Sequence, residues 1–109
     1  MVRNEFTFPS ADGHTNIHAV EWVPEGEIRA VLQISHGVAE YILRYEPFAE
    51  YLTAHGFAVV GHDHLGHGQS VAEGAPRLYF GPKGSWSWVV DDIYARRQLA
   101  GRRFPGVPS

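Results

Sequence analysis

The sequence predicts an α/β fold: two antiparallel strands followed by a parallel β-α-β-α run that leaves the sheet incomplete. Three observations carry this. Residues 4–8 and 17–22 are rich in aromatic and β-branched side chains, with Asp12-Gly13 between them. Residues 30–60 pass from a short apolar run, through an amphipathic stripe, to a second apolar run. Gly61 to Ser70, read G-H-D-H-L-G-H-G-Q-S, then interrupts the pattern with three of the seven histidines, three glycines and a carboxylate.

Asn4 to Phe8 alternates polar with aromatic residues and pairs with Ile17 to Trp22 as a hairpin. His14 and His18, four apart, would be neighbours on a helix, but the strand pattern makes them solvated or edge-strand histidines. Pro24 to Glu27 is a turn. Ala30 to Ile34 lacks strict alternation, as expected of a strand buried on both faces. It opens into Ser35-His36-Gly37-Val38-Ala39-Glu40 at its C-terminal end, where ligands bind in open α/β sheets.

Tyr45, Phe48, Ala49 and Leu52 fall at i, i+3, i+4 and i+7, so Arg44 to His55 predicts an amphipathic helix with Pro47 in its first turn and Gly56 as its stop. Phe57 to Val60 predicts the next strand. Beyond Ser70 comes a polar loop with Gly74, Pro76, Gly81, Pro82 and Gly84, then a helix capped by Ser85 or Ser87. That helix carries Trp86, Val89, Val90, Ile93 and Ala100 on its apolar face and Asp91 and Asp92 in its first turns. Arg96, Arg97, Arg102 and Arg103 read as solvated charges towards its C-terminal end.

The chain has 109 residues, 44% hydrophobic and 13% aromatic, enough for one domain with a packed core. A formal charge of −3, from 9 basic and 12 acidic residues, gives no field for gathering nucleic acid. Without cysteine there are no disulfides, thiolate nucleophiles or cysteine-based zinc sites. The N-terminus lacks the apolar run of a signal peptide, and no stretch approaches the ~20 apolar residues of a membrane span. A cytoplasmic protein is expected.

Three sites compete for Gly61 to Ser70. His62, His64 and His67 form H-x-H-x-x-H, a pattern of imidazoles suited to zinc, but Gly66 stands where the metallo-β-lactamase motif has aspartate. Gly61 and Gly66 have phosphate-loop spacing, yet His67 replaces the lysine and Gly68 the hydroxyl residue. The third reading joins this stretch to His36-Gly37: two successive parallel strands each end in a glycine loop on one rim, where backbone N–H groups can face developing negative charge.

H-G-V-A-E followed by R-Y, then G-H-D-H-L-G-H-G-Q-S, then the tryptophan-flanked V-V-D-D-I helix and F-P-G-V-P resemble the α/β-hydrolase superfamily. Within it, the chain is similar to the serine aminopeptidase S33 group that includes monoacylglycerol lipases and lysophospholipases. The resemblance implies that residues 1–109 are the N-terminal portion of a single α/β-hydrolase domain. It matches His36 and Gly37 to the loop after the third strand, places the backbone N–H of Val38 in the oxyanion hole, and gives Glu40 a supporting place in that loop. Asp63, Gly66, Gly68 and Ser70 match the turn after the fourth strand, with an architectural role. Tyr41 departs from the histidine often found after the glutamate.

The resemblance also implies what these residues do not supply. The nucleophile of such enzymes lies in G-x-S-x-G, with acid and histidine following it. None of Ser10, Ser35, Ser70, Ser85, Ser87 or Ser109 is in that motif, and chain order carries none of the seven histidines over as base, nor Asp63, Asp91 or Asp92 as acid. The expectation is a segment of a serine hydrolase acting on carboxylic esters, inactive alone, without a cap domain or cofactor. A small-molecule ester or lipid would be its substrate in the full enzyme, and an exposed sheet edge would favour self-association. Its rivals are a non-catalytic α/β interaction module and a metal-dependent hydrolase using His62, His64 and His67.

Overall fold

The computed structural model of the chain describes residues 1–36, 41–70 and 86–108. In these, β1 (Val2–Pro9) and β2 (Asn16–Val23) are followed by β3 (Ala30–Ile34), a 3-10 turn (Ile42–Tyr45), α1 (Glu46–Ala54), β4 (Phe57–His62) and α2 (Trp86–Arg103). The strands form one mixed sheet ordered β1-β2-β4-β3. β1 and β2 pair antiparallel, with Phe6 opposite Ala19; β2 and β4 pair antiparallel, with Val20 opposite Gly61. β3 and β4 pair parallel, with Leu32 opposite Val59. This is the expected incomplete α/β-hydrolase sheet, strand by strand.

β4 lies between two neighbours and is buried from Ala58 to His62, so it needs apolar residues on both faces. Val59 joins Val20, Trp22, Ile34, Ile42 and Ala49 in the core under α1. Ala58 and Val60 turn the other way, to Val31, Ala100 and Phe104 under the C-terminal half of α2. A third cluster, Phe8, Ile17, Ala19 and Leu65, receives Trp88, Val89 and Leu99 from α2. Each helix therefore covers one face.

The first helix begins two residues later than expected. Arg44 and Tyr45 belong to the 3-10 turn, and α1 starts at Glu46 with Pro47 in its first turn, where a missing N–H costs nothing. α2 runs from Trp86, as a cap at Ser85 would give, although Ser85 itself lies outside the described residues, and Asp91 and Asp92 fall in its second turn. Val90 of its predicted apolar face is half exposed. Asp92 and Arg96, one turn apart, point inward instead. No described helix is long and apolar enough to cross a membrane.

Candidate functional site

Because β3 and β4 run parallel, their C-terminal ends share one rim of the sheet. At that rim the two chains are tied by a reciprocal pair of hydrogen bonds. The backbone N–H of His64 donates to His36 Nε2 at 2.8 Å, and His64 Nε2 donates to the His36 carbonyl at 3.1 Å. The partners assign the tautomers: His36 carries its proton on Nδ1 and His64 on Nε2. Both rings are buried, with centroids 4.2 Å apart.

Asp63 is the hub of the turn that follows β4. Its Oδ1 accepts the backbone N–H of Ile42 at 2.6 Å, while Oδ2 accepts Gln69 N–H at 3.1 Å and His18 Nδ1–H at 2.6 Å. Asp63 is buried, and burial pushes its pKa up, but His18 and the two backbone donors outweigh this and hold it below the usual carboxylate range. Gly68 packs directly on it with φ +50; a Cβ there would come within 2.5 Å of Asp63 Cγ. The turn closes through Gly66 N–H to the Ser70 carbonyl and Ser70 N–H to the His67 carbonyl. Ser70 Oγ accepts the His18 backbone N–H at 2.8 Å.

His62, His64 and His67 are all buried, but their rings do not converge as ligands do. His62 lies edge-on to Phe8 with centroids 5.8 Å apart, and His67 donates Nδ1–H to the Leu65 carbonyl. Burial first, and then the neighbouring His64 and Arg96, push the His62 pKa down to about 3; burial and His36 push that of His64 down to about 4. Among the described residues no group of three or more such side chains is placed to hold a metal ion. The His62 and His64 rings are therefore neutral packing groups of the rim at physiological pH.

The structure thus brings together His36, Asp63, Gly66, Gly68 and Ser70. Gly37, Val38 and Glu40 lie outside the described residues, but His36 and Ile42 on either side are each fastened to the turn after β4. The sequence reading missed three further residues. His18 is neither solvated nor on an edge strand: β2 is internal, and the ring is clamped between Asp63 and, at 2.8 Å from Nε2, Glu5. Arg96 is 1% exposed and donates to the carbonyls of Gly61 and Val20. Asp92 accepts Ser10 Oγ–H and Ala11 N–H, fastening α2 to the β1-β2 connection. The signal for His18 was its place in a strand otherwise reading as core; Arg96 and Asp92 gave only their i, i+4 spacing.

Comparison with known proteins agrees with this geometry. The family model described as "Serine aminopeptidase, S33" matches residues 26–109. The human monoglyceride lipase is 44% identical over 87 residues, covering 80% of this chain and 27% of that protein. The monoacylglycerol lipase of Mycolicibacterium smegmatis is 37% identical over 106 residues, covering 97% of this chain and 35% of that protein. A thermostable carboxyl esterase from Bacillus coagulans superposes with a TM-score of 0.88 at 28% identity, over 99% of this chain and 34% of that one. The chain spans about a third of the length of these relatives. Matched across most of its length in sequence and in fold, the chain belongs to the serine aminopeptidase S33 family of α/β-hydrolases.

Proposed function

We propose that residues 1–109 form the N-terminal segment of a serine hydrolase acting on carboxylic esters of the monoacylglycerol or lysophospholipid kind, and that its rim is one wall of the site. In the complete enzyme a serine supplied by further polypeptide would attack the ester carbonyl, a histidine would take and return the proton, and an acid would orient that histidine. The Val38 N–H would donate to the carbonyl oxygen as it gains charge. Asp63, Gly66, Gly68 and Ser70 would hold the rim in place without touching substrate.

The observation that carries this reading is the pair of fastenings at the rim. His36 enters and Ile42 leaves the segment containing Val38, and each is hydrogen-bonded to the turn after β4, by His64 and Asp63 respectively. An oxyanion donor acts only if its backbone is preorganised, and these bonds fix both flanks. The names of the relatives support ester chemistry and a lipid-like substrate.

The segment alone is expected to be inactive. Ser10 donates to Asp92 and Ser70 receives the His18 backbone N–H, so both hydroxyls are engaged in structural bonds. The purified chain should neither hydrolyse p-nitrophenyl esters above background nor take up a fluorophosphonate label. A chimera carrying residues 1–109 in place of the matched part of the mycobacterial lipase should regain esterase activity. In that chimera Val38→Pro, which removes the N–H, should lower kcat roughly 10²-fold or more, whereas Val38→Ala should stay near the parent. Equal activity of the two variants would remove Val38 from the oxyanion hole.

A further inference from the structure

The clamp around His18 has no part in the expectations above, and its geometry settles how it is charged. Asp63 already accepts two backbone N–H donors, so it is ionised, and His18 Nδ1 must carry a proton to approach it at 2.6 Å. On the ring's other side, Nε2 lies 2.8 Å from Glu5 Oε1. A lone pair there would face a carboxylate oxygen, so Nε2 is protonated too. The ring is an imidazolium between two carboxylates, one of them 3% exposed. Glu5 from β1 and Asp63 from the turn after β4 are the charges acting on it, and Arg3 lies 3.6 Å from the second oxygen of Glu5.

We propose that His18 is a positioning residue for the rim: its imidazolium holds the Asp63 carboxylate against the Ile42 N–H, so that β2 sets where the chain leaves the segment containing Val38. This rests on reading that segment as the oxyanion wall, although the mechanical link from His18 to Ile42 stands without it. The path is short and covalently simple: His18 Nδ1–H to Asp63 Oδ2, through one carboxyl group, to Asp63 Oδ1 and Ile42 N–H. The backbone of His18 is bound to the same turn, its N–H by Ser70 Oγ and its carbonyl by Asp63 N–H, so the side-chain contact has no freedom to drift. The bond to Asp63, opposed by burial and helped by Glu5, raises the His18 pKa above its ordinary value.

The test is an NMR titration of the 109-residue chain, followed through the His18 ring carbons and the amides of Ile42 and Gln69. The His18 ring should titrate above pH 6.5, and the Ile42 amide should shift with the same midpoint. Glu5→Gln, a change at a partly exposed site, should lower that midpoint while leaving the Ile42 amide shift at pH 6 in place. In His18→Leu, amide exchange at Ile42 should quicken roughly tenfold or more at fixed pH, and His18→Gln, which keeps a donor, should restore part of the protection. A His18 midpoint at or below 6.5, an Ile42 amide blind to it, or unchanged Ile42 protection in folded His18→Leu would each overturn the proposal. None of these readouts depends on ester hydrolysis, so failure of the functional reading in the chimera would be seen separately.

Discussion

Arg96 reaches from α2 to the sheet and donates Nε–H to the Gly61 carbonyl at 3.1 Å and Nη2–H to the Val20 carbonyl at 2.9 Å, two residues that face one another across β2 and β4. Its guanidinium also lies 5.1 Å over the Phe6 ring. Burial pulls its pKa down to about 10, against the pull of Glu21, so it remains a cation at neutral pH. Arg96→Met keeps the stem and deletes the donors, leaving two buried carbonyls; we expect a loss of about 2–4 kcal/mol in urea unfolding. Arg96→Lys should recover part of it, and an unchanged midpoint for Arg96→Met would refute the role. Gly68→Ala should cost roughly 2–3 kcal/mol in the same assay, since its Cβ would meet the Asp63 carboxylate in a backbone conformation unfavourable to alanine. Gly68 was legible as part of a turn, because glycine density and a nearby carboxylate are local signals. Arg96 was not, because a charged residue on a helix is assigned to water unless its partner is known, and carbonyls of two distant strands leave no mark in sequence.

Among the elements, β3, β4 and α1 were legible because short apolar runs and a 3.6-residue stripe survive in the order of residues. The sheet-facing side of α2 was misjudged because its inward positions include Asp92 and Arg96, so hydrophobic periodicity alone points the wrong way. His18 failed for the same reason on a strand. The histidine-rich end of β4 makes a prediction at this scale. His62 and His64 are held neutral, with pKa values pushed down to about 3 and about 4, whereas in the unfolded chain they take up protons below about 6.5. Unfolding then binds protons, so stability is full above about pH 6.5 and falls as the pH drops towards those lower values. By pH 5 the loss should be about 2 kcal/mol for each ring. His18 has the opposite sign, its contribution being present below about 6.5 and lost as the pH rises through its raised pKa. Asp63 adds to the acid side, its contribution being lost only as the pH falls through its lowered pKa. Urea midpoints measured from pH 8 to pH 4 should therefore drop steeply on the acid side, and a flat profile between pH 7 and pH 5 would show that the rings are not buried as neutral groups.

At the scale of the whole molecule, the sheet ends at β3 among the described residues, and the side of that strand away from β4 sets the chain's behaviour in solution. Val31 N–H donates to the Pro108 carbonyl at 2.8 Å, so the residues after α2 turn back and make one rung beside β3. Past that rung lies a cavity of about 250 Å³, lined by Val31, Leu32, Val60, Ala100, Phe104 and Val107 among others. Leu32 is 40% exposed on a strand where an apolar residue would ordinarily be covered. A strand edge with one rung filled, an exposed Leu32 and a trough beside it that mixes these apolar residues with Gln33 and Arg97 invites pairing with another extended chain. We therefore expect the 109-residue chain to self-associate, with a sedimentation coefficient that rises with concentration in the micromolar range. Leu32→Lys places a charge on the edge without touching the rim and should return the chain to a monomer while leaving its far-ultraviolet circular dichroism unchanged. The parallel pairing of β3 with β4 was readable from the order of elements, as a strand-helix-strand unit. The rung from Val31 to Pro108 was not, because nothing in Phe104 to Pro108 distinguishes a helix stop from the first residue of a pairing. If the wild-type chain sediments as a monomer at every concentration, the rung and the cavity wall are enough to close the edge, and the pairing surface assigned to β3 is withdrawn.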